Sequence, residues 1–426
     1  MTRTFAERVI EIAAGPCRLY VLPTPVEQVV TLRGSFRTWP DFAAGETLLQ
    51  RLTVAMLDRG TRRRDRFELA RLLEDRGAHL SFTSKGSRVE FAGRMLRRHM
   101  SDVLPLLAEQ LREPRFDPEE FEKARLHVQA QLQQQLEQTS ARARIALSQR
   151  LYPPAHPNYR RDPEAELERL AALTLEDVRA YHAAHFGANE LVLVLVGNVQ
   201  PEAAEPLVRE AFADWPPHGA MPRFAADAAP QPPDRVQIHV PDRQNLDVLM
   251  GHAVPLRRQH PDYIPLYVGT YVLGGNFSAR LMATVRDEQG LTYGIHAALE
   301  GISTEHDGHF EIEVTLSQER LEEGIAATLA QVRRFVEEGV TEDELAEKKD
   351  TLTGLFQTGL STTAGLATAL LINIERGFGP GYLDRYPEEI RAVTRRQVNE
   401  VVQRYLSPEA LHTVIAGSLA TVPSGP

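Results

Sequence analysis

The sequence predicts an α+β fold in two homologous halves, each a mostly antiparallel sheet packed with helices. Three observations support this prediction: an internal repeat, the same order of predicted elements in both halves, and a Pro/Ala-rich connector between them. We place the N-terminal half at 1–213, the connector at 214–234 and the C-terminal half at 235–426. Grouped strands and helices, without strict βαβ alternation, favour the α+β class.

The repeat is clearest at the end of each half. The stretch "LTLEDVRAYHAAHFGANELVLVLVGNV" at 173–199 aligns without a gap with "VTRRQVNEVVQRYLSPEALHTVIAGSL" at 393–419. Four pairs stand 220 residues apart: Thr174 and Thr394, Val178 and Val398, Leu191 and Leu411, Gly197 and Gly417. Each copy predicts a helix, a turn and an apolar strand, which indicates duplication of a whole unit.

The front ends of the halves also correspond. Residues 17–36 and 236–254 each predict two strands joined by a loop. In the first half, the helical periodicity of 66–80 closes at Gly77, a residue suited to a helix C-terminus. A hairpin is expected next, and Asp117-Pro118 then begins a long helix with proline in its first turn.

Composition excludes several classes of function. The chain carries 58 acidic and 48 basic residues, a net charge of -10, which disfavours binding to nucleic acid or anionic membranes. Cys17 is the only cysteine, so no internal disulfide and no thiolate zinc site are possible. The N-terminal stretch has no apolar core typical of a signal peptide, and no long apolar run predicts a membrane helix. We therefore expect a soluble, cytoplasmic protein.

Four ordered stretches carry a resemblance to a known family. They are "LDRGT" (57–61), "ELARLLEDRGAHLSFTSKGSRVEF" (68–91), "HPNYRRDPEAELERLAALTLEDVRAYHAAHF" (156–186) and "LGGNFSARLMATVRDEQGLTYGIHAAL" (273–299). Together they resemble the pitrilysin/insulinase family of zinc metallopeptidases, and more closely its branch of short bacterial members and mitochondrial processing peptidase subunits. The resemblance implies a clam-shell half: two such subunits close around a peptide chamber.

The family's zinc site falls on the helix before "LDRGT". Its HxxEH motif places two histidines four residues apart on one helix face, where both bind zinc, and its glutamate serves as general base. The matching positions here are 51–55, so Arg51, Val54 and Ala55 stand in place of the histidines and the glutamate. The family's third ligand, a glutamate of a later helix, falls on Ala130 and Gln131. The resemblance therefore predicts that this chain binds no zinc and is not catalytic alone.

A second family feature is retained. In the two-subunit branch, an arginine and a tyrosine of the non-catalytic subunit hold the substrate and polarise its carbonyl. The matching "VRDEQGLTY" motif assigns these roles to Arg286 and Tyr293. The residue types agree, because a guanidinium binds carbonyl or carboxylate oxygens and a phenol can donate to a developing oxyanion. The alternative is a surface arginine and a core tyrosine kept for packing.

These features predict a substrate-binding, non-catalytic subunit of a heterodimeric zinc peptidase that cleaves unfolded peptides. Its partner would be a homologous subunit that carries HxxEH and the zinc. One alternative is a structural or peptide-binding scaffold without a peptidase partner. Another is an active homodimer with a displaced metal site at 305–309, "EHDGH", where Asp-Gly predicts a hairpin turn.

Other candidates favour structural interpretations. His182 and His185 stand three residues apart on a predicted helix but lack a third ligand in sequence. The basic run 59–66 is expected to be a solvated face, with binding of an acidic partner surface as the alternative. Cys17 is expected to be a buried, inert thiol.

Overall fold

The chain folds into two compact units, each built on one sheet. The computed structural model describes residues 4–26, 28–218 and 227–418. The first unit takes its described residues from 1–130, 167–223 and 355–387, and the second takes its own from 131–166, 224–354 and 388–426.

The first unit contains a six-stranded sheet in the order β1-β2-β6-β3-β5-β4. Its strands are β1 (Ile10–Ala14), β2 (Cys17–Pro23), β3 (Val29–Arg37), β4 (His79–Lys85), β5 (Arg88–Leu96) and β6 (Val192–Gly197). Only the β2–β6 pair is parallel among these strands, so the sheet is mostly antiparallel as predicted.

The second unit contains a five-stranded sheet in the order β7-β11-β8-β10-β9. Its strands are β7 (Arg235–His239), β8 (Asn245–Val254), β9 (Thr292–Glu300), β10 (Gly308–Ser317) and β11 (His412–Gly417). Again a single pair, β7–β11, is parallel within the described sheet. Apart from β1, the two sheets have the same strand order, which confirms the predicted fold class.

Helices surround both sheets. They are α1 (Phe5–Arg8), α2 (Thr47–Val54), α3 (Arg66–Glu74), α4 (Met100–Arg112), α5 (Pro118–Glu137), α6 (Thr139–Leu151), α7 (Pro163–Ala172), α8 (Leu175–His185), α9 (Pro201–Phe212), α10 (Tyr263–Gly274), α11 (Leu321–Glu338), α12 (Glu342–Gly359), α13 (Thr363–Glu375), α14 (Tyr382–Ala392) and α15 (Arg395–Tyr405). A π-helical turn spans Met282–Glu288. No single helix of the described residues is long and apolar enough to cross a membrane.

Local sequence signals explain several helix ends. Thr174 and Thr394 each cap their helix, α8 and α15, through the same reciprocal hydrogen bonds, so the repeat extends to the caps. α5 begins at Pro118, as predicted. α3 ends at Glu74, earlier than its periodicity indicates, and Gly77 completes the following turn with a φ of 56°.

The units differ from the halves predicted at 1–213 and 235–426. In the first unit, α13 packs on β3 and β6. Its buried face is apolar and comprises Leu366, Ala367, Leu370, Leu371 and Ile374. In the second unit, α6 packs on β8 and β11 through an apolar face comprising Ala143, Ala146, Leu147 and Leu151. Each sheet is thus covered by a helix from the other half. The sequence did not predict this exchange, because an apolar helix face does not specify which sheet it covers.

The predicted connector at 214–234 lies partly outside the described residues. Its described parts, 214–218 and 227–234, contain no helix or strand. The backbone N–H groups of Ala229 and Gln231 donate to the carbonyl oxygens of Leu151 and Arg150 at 3.0 and 2.9 Å. The C-terminal part of the connector therefore runs along the end of α6.

Candidate functional site

The positions that match HxxEH lie on the last turn of α2. The backbone N–H of Ala55 donates to the carbonyl oxygen of Arg51 at 3.1 Å, so both positions share one helical turn. Val54 belongs to the hydrophobic core and is 6% exposed. A guanidinium, an isopropyl group and a methyl group offer no lone pair for zinc and no base for a proton. The turn retains the motif's geometry without its chemistry.

The later positions do not supply a ligand set either. Ala130 and Gln131 lie on α5 and contribute a methyl group and a neutral amide. Among the described residues, no group of three or more His, Cys, Asp or Glu side chains is arranged to hold a metal ion. The residues present therefore do not fit the zinc ion of the resembled family.

The basic run 59–66 is largely neutralised within the first unit. Glu120, whose side chain is 10% exposed, accepts hydrogen bonds from Arg59 at 3.0 Å, Arg66 at 3.3 Å and Lys123 at 2.7 Å. Burial would raise the pKa of Glu120, but hydrogen bonds from Lys123 and Arg59 lower it overall. Further pairs join Arg63 to Glu113 and Arg64 to Glu109. These ion pairs favour a structural role over binding of an acidic partner.

Arg286 and Tyr293 line the same open cavity in the second unit. The cavity has a volume of about 480 Å³. Arg286 lies in the π-helical turn, and Tyr293 lies at the start of the edge strand β9. Tyr293 is 89% exposed, so the alternative of a core tyrosine kept for packing is wrong. A phenol this exposed is available to a ligand.

The guanidinium of Arg286 is held from two sides. It lies over the ring of Phe277, 4.5 Å from the ring centroid, and pairs with Asp287 at 2.9 Å. Its side chain remains 30% exposed, and a guanidinium has five N–H donors, so one carboxylate does not exhaust it. π-Helical turns occur frequently at functional sites. Sequence reasoning missed Phe277, because its contact with Arg286 depends on the path of the loop after α10.

Comparisons with known proteins identify the family. The family model described as "Insulinase (Peptidase family M16)" matches residues 52–156, and the model described as "Peptidase M16 inactive domain" matches residues 172–352. Together these matches span well over half of the chain. The chain belongs to the M16 peptidase family. The insulinase family predicted from the motifs is thereby confirmed.

Other proteins are similar to this chain over most of its length. A "non-peptidase homolog YmxG" of Helicobacter pylori is 24% identical over 306 residues, 72% of this chain and 69% of that one. The crystal structure of a peptidase M16 inactive domain from Pseudomonas fluorescens superposes with a TM-score of 0.86 at 22% identity, over 97% and 98% of the two chains. The periplasmic protease PqqL of Escherichia coli gives a TM-score of 0.79 at 15% identity, over 98% of this chain and 46% of that one. These neighbours confirm the fold.

The chain is a non-catalytic M16 member. Its sequence contains no HxxEH motif, and Arg51, Val54 and Ala55 occupy the matching positions. The insulinase match begins at residue 52, directly after Arg51. The assignment to the mitochondrial-processing branch, the heterodimer and the binding roles of Arg286 and Tyr293 stay predictions.

The two histidines of α8 serve packing in this M16 chain. A ring nitrogen of His182 lies 2.8 Å from the carbonyl oxygen of Leu111, and one of His185 lies 2.7 Å from that of Thr38. Burial lowers the pKa of His182 to about 4, so its ring is neutral at pH 7. The two rings have separate partners and do not form a pair of metal ligands.

The segment 305–309 is committed to contacts within the second unit. His156 Nε2 lies 2.9 Å from Asp307 Oδ1, and His309 Nδ1 lies 2.8 Å from the hydroxyl of Tyr152. Asp307 is 4% exposed, and Gly308 already belongs to β10. The predicted hairpin is confirmed, because β9 and β10 pair antiparallel around the loop 301–307. Its turn is not at Asp307-Gly308, however, since Gly308 already belongs to β10 and the loop glycine with positive φ is Gly301. These contacts give no support to a displaced metal site.

Proposed function

We propose that this chain is the substrate-binding, non-catalytic subunit of a heterodimeric zinc-dependent peptidase that cleaves unfolded peptides in the cytoplasm. A homologous partner with HxxEH would hold the zinc and the general base. The observation that carries the proposal is the contrast between two regions. The α2 turn has lost every chemical group of the motif, whereas Arg286 and exposed Tyr293 line one cavity.

The length of one structural neighbour, PqqL, supports a missing partner. This chain superposes on 46% of the length of PqqL, which is named a periplasmic protease. A chain that corresponds to less than half of a protease leaves room for a second chain of similar size. If the substrate-binding part and the HxxEH part of such a protease lie on separate chains, the active form is a heterodimer.

The cavity residues suit two tasks on a bound peptide. The N–H groups of Arg286 can bind a backbone carbonyl or a C-terminal carboxylate in a fork geometry. The hydroxyl of Tyr293 can donate to oxygen where negative charge develops. Neither task needs a metal ligand from this chain.

The test is reconstitution with the partner. The tagged chain would be purified from its own cells, the copurifying HxxEH homologue identified, and cleavage of fluorescein-labelled β-casein measured for each chain alone and for the mixture. We expect activity in the mixture only. Because loss of one oxyanion donor typically lowers turnover about 100-fold or more, Tyr293→Ala and Arg286→Ala should each lower the rate by roughly that factor.

Arg333→Ala is the matched control for these variants. Arg333 forms an exposed ion pair with Glu409 at 2.9 Å and lies outside the cavity. Its loss should leave cleavage unchanged, since exposed pairs contribute about 0–1 kcal/mol. Full cleavage by the Arg286→Ala and Tyr293→Ala variants, with unchanged unfolding midpoints, would refute the assigned roles.

A scaffold function is the second candidate. The relative named a non-peptidase homolog favours it, since that name concerns a chain similar over 72% of this one. A scaffold would copurify without an HxxEH homologue and would bind β-casein without turnover. The same purification therefore separates the two functions.

A further inference from the structure

A lysine of α12 is buried against the loop that carries Phe277. Lys348 is 2% exposed, whereas lysine is almost never fully buried without a partner. Its ammonium donates to the carbonyl oxygen of Ser278 at 3.0 Å and to the hydroxyl of Ser278 at 2.6 Å. It also pairs with Glu347 at 2.8 Å. The buried ammonium thus makes two hydrogen bonds to a single residue of the loop after α10.

The three groups form a closed set of contacts. The hydroxyl of Ser278 donates in turn to Glu347 at 3.0 Å, while it accepts from Lys348. The three donors of the ammonium are therefore directed to the two oxygens of Ser278 and to one carboxylate. This arrangement fixes both the backbone and the side chain of Ser278, which directly follows Phe277 in the chain.

The end of α10, where this loop begins, packs closely against β9. A Cβ on Gly274 would lie 2.5 Å from the backbone nitrogen of Ala297, so only glycine permits this close approach. β9 also carries Tyr293, which is its second residue. The loop that carries Phe277 therefore begins at a helix end packed on the strand of Tyr293, and Ser278 joins it to α12.

We infer that Lys348 is a positioning residue for the substrate-binding surface formed by Phe277, Arg286 and Tyr293. It holds Ser278, Ser278 fixes Phe277, and the Phe277 ring supports the guanidinium of Arg286 from 4.5 Å. Lys348 itself is buried and touches no ligand. The inference rests on the proposed peptide-binding role of Arg286.

The primary experiment uses the isolated full chain and fluorescein-labelled β-casein as an unfolded probe. Fluorescence anisotropy gives the Kd, and hydrogen exchange gives the mobility of amides 275–281. We expect Lys348→Met to weaken binding about tenfold, the scale of a lost coupling between neighbouring side chains, and to speed exchange in the loop. Lys348→Arg should partly recover both the binding of β-casein and the slow exchange of the loop, since it restores a buried cation with several donors.

Lys349→Met is the matched control on the same helix. Lys349 donates to the carbonyl oxygen of Val393 at 2.8 Å and makes no contact with Ser278. This variant should leave both the Kd and the exchange of the loop unchanged. Ser278→Ala is a milder second variant, because it removes one of the two contacts and keeps the carbonyl oxygen; it should weaken binding by a smaller factor than Lys348→Met.

A double-mutant cycle separates positioning from general stability. In an Arg286→Ala background, Lys348→Met should add less than about twofold to the Kd, because its effect acts through that guanidinium. Additive effects, or wild-type binding by Lys348→Met, would overturn the inference and leave the proposed function intact. Wild-type binding by Arg286→Ala, or no binding by the wild-type chain, would overturn the proposed function and this inference together.

Discussion

The side chains of Arg280 and Glu344 form a partly buried, bidentate ion pair in the second unit. Both N···O distances are 2.7 Å, and the side chains are 17% and 28% exposed. Arg280 also donates to the carbonyl oxygen of Gly339 and lies over the ring of Phe335. Burial would raise the pKa of Glu344, but hydrogen bonds from Arg280 and from the backbone of Thr341 lower it to about 2.

The Glu344 pair makes stability depend on pH. Since the folded state lowers this pKa, the pair stabilises the fold above the usual glutamate pKa, and the contribution fades as pH falls from about 4.5 towards 2. We expect Glu344→Gln to lower the free energy of unfolding by about 2 kcal/mol at pH 7, after allowance for partial exposure, and by less below about pH 4.5. Urea unfolding at several pH values measures both.

Glu342→Gln is the control for this pH dependence. Glu342 lies on the same helix and pairs with Arg395 at 3.1 Å, but its side chain is 72% exposed. Its loss should cost less than about 1 kcal/mol at any pH. Equal losses for the two variants, or a Glu344 effect that persists unchanged at pH 3, would contradict the assigned role of the buried pair.

Single residues were predictable where a motif has fixed spacing. Arg51, Val54 and Ala55 could be placed on one helix turn because residues four apart share a face, and the structure confirms that turn. Lys348 could not be found, because a lysine in a charged helix predicts a solvated side chain. Phe277 beneath Arg286 could not be found either, since that contact depends on the loop path after α10.

At the scale of elements, periodicity predicted most helices and strands, but not their packing partners. The repeat predicted two equivalent sheets, which the shared order of strands confirms. It did not predict that α13 covers β3 and β6, since the apolar face of α13 has no feature that distinguishes one sheet from the other. Long-range packing decides such partners, and the local pattern contains no record of it.

The packing of α13 can be tested with one leucine. Leu370 is fully buried in the core that also contains Val194 of β6. Leu370→Ala should lower the free energy of unfolding by about 2–5 kcal/mol, because it removes buried methyl groups and leaves a cavity. Urea unfolding monitored by circular dichroism measures the loss.

Leu355→Ala provides the same chemical change at an exposed site. Leu355 is 58% exposed and lies on α12, in the first unit. This control should cost less than about 1 kcal/mol, because little apolar surface leaves water there. A Leu370→Ala variant as stable as Leu355→Ala would show that α13 does not cover the sheet.

For the whole molecule, the exchange of helices predicts that neither half folds alone. A fragment of 1–213 lacks α13, so the apolar face of the first sheet that contains Tyr20, Leu22, Val192, Val194 and Val196 would be uncovered. A fragment of 235–426 lacks α6, which packs on β8 and β11. We expect each fragment alone to aggregate or to bind an apolar dye, because a large uncovered apolar face favours association.

Coexpression of two fragments that together contain both exchanged helices should restore folding. The pair 1–213 and 214–426 contains every described helix, so together they should give the circular dichroism spectrum and unfolding midpoint of a nicked chain. Deletion of 363–375 from the second fragment should abolish this rescue. Deletion of 5–8, the single turn α1, should weaken it less, since that turn has no fully buried side chain and only the partly buried Phe5 packs against the same core. A 1–213 fragment that unfolds cooperatively without its partner would refute the exchange, because its sheet would then be stable without α13.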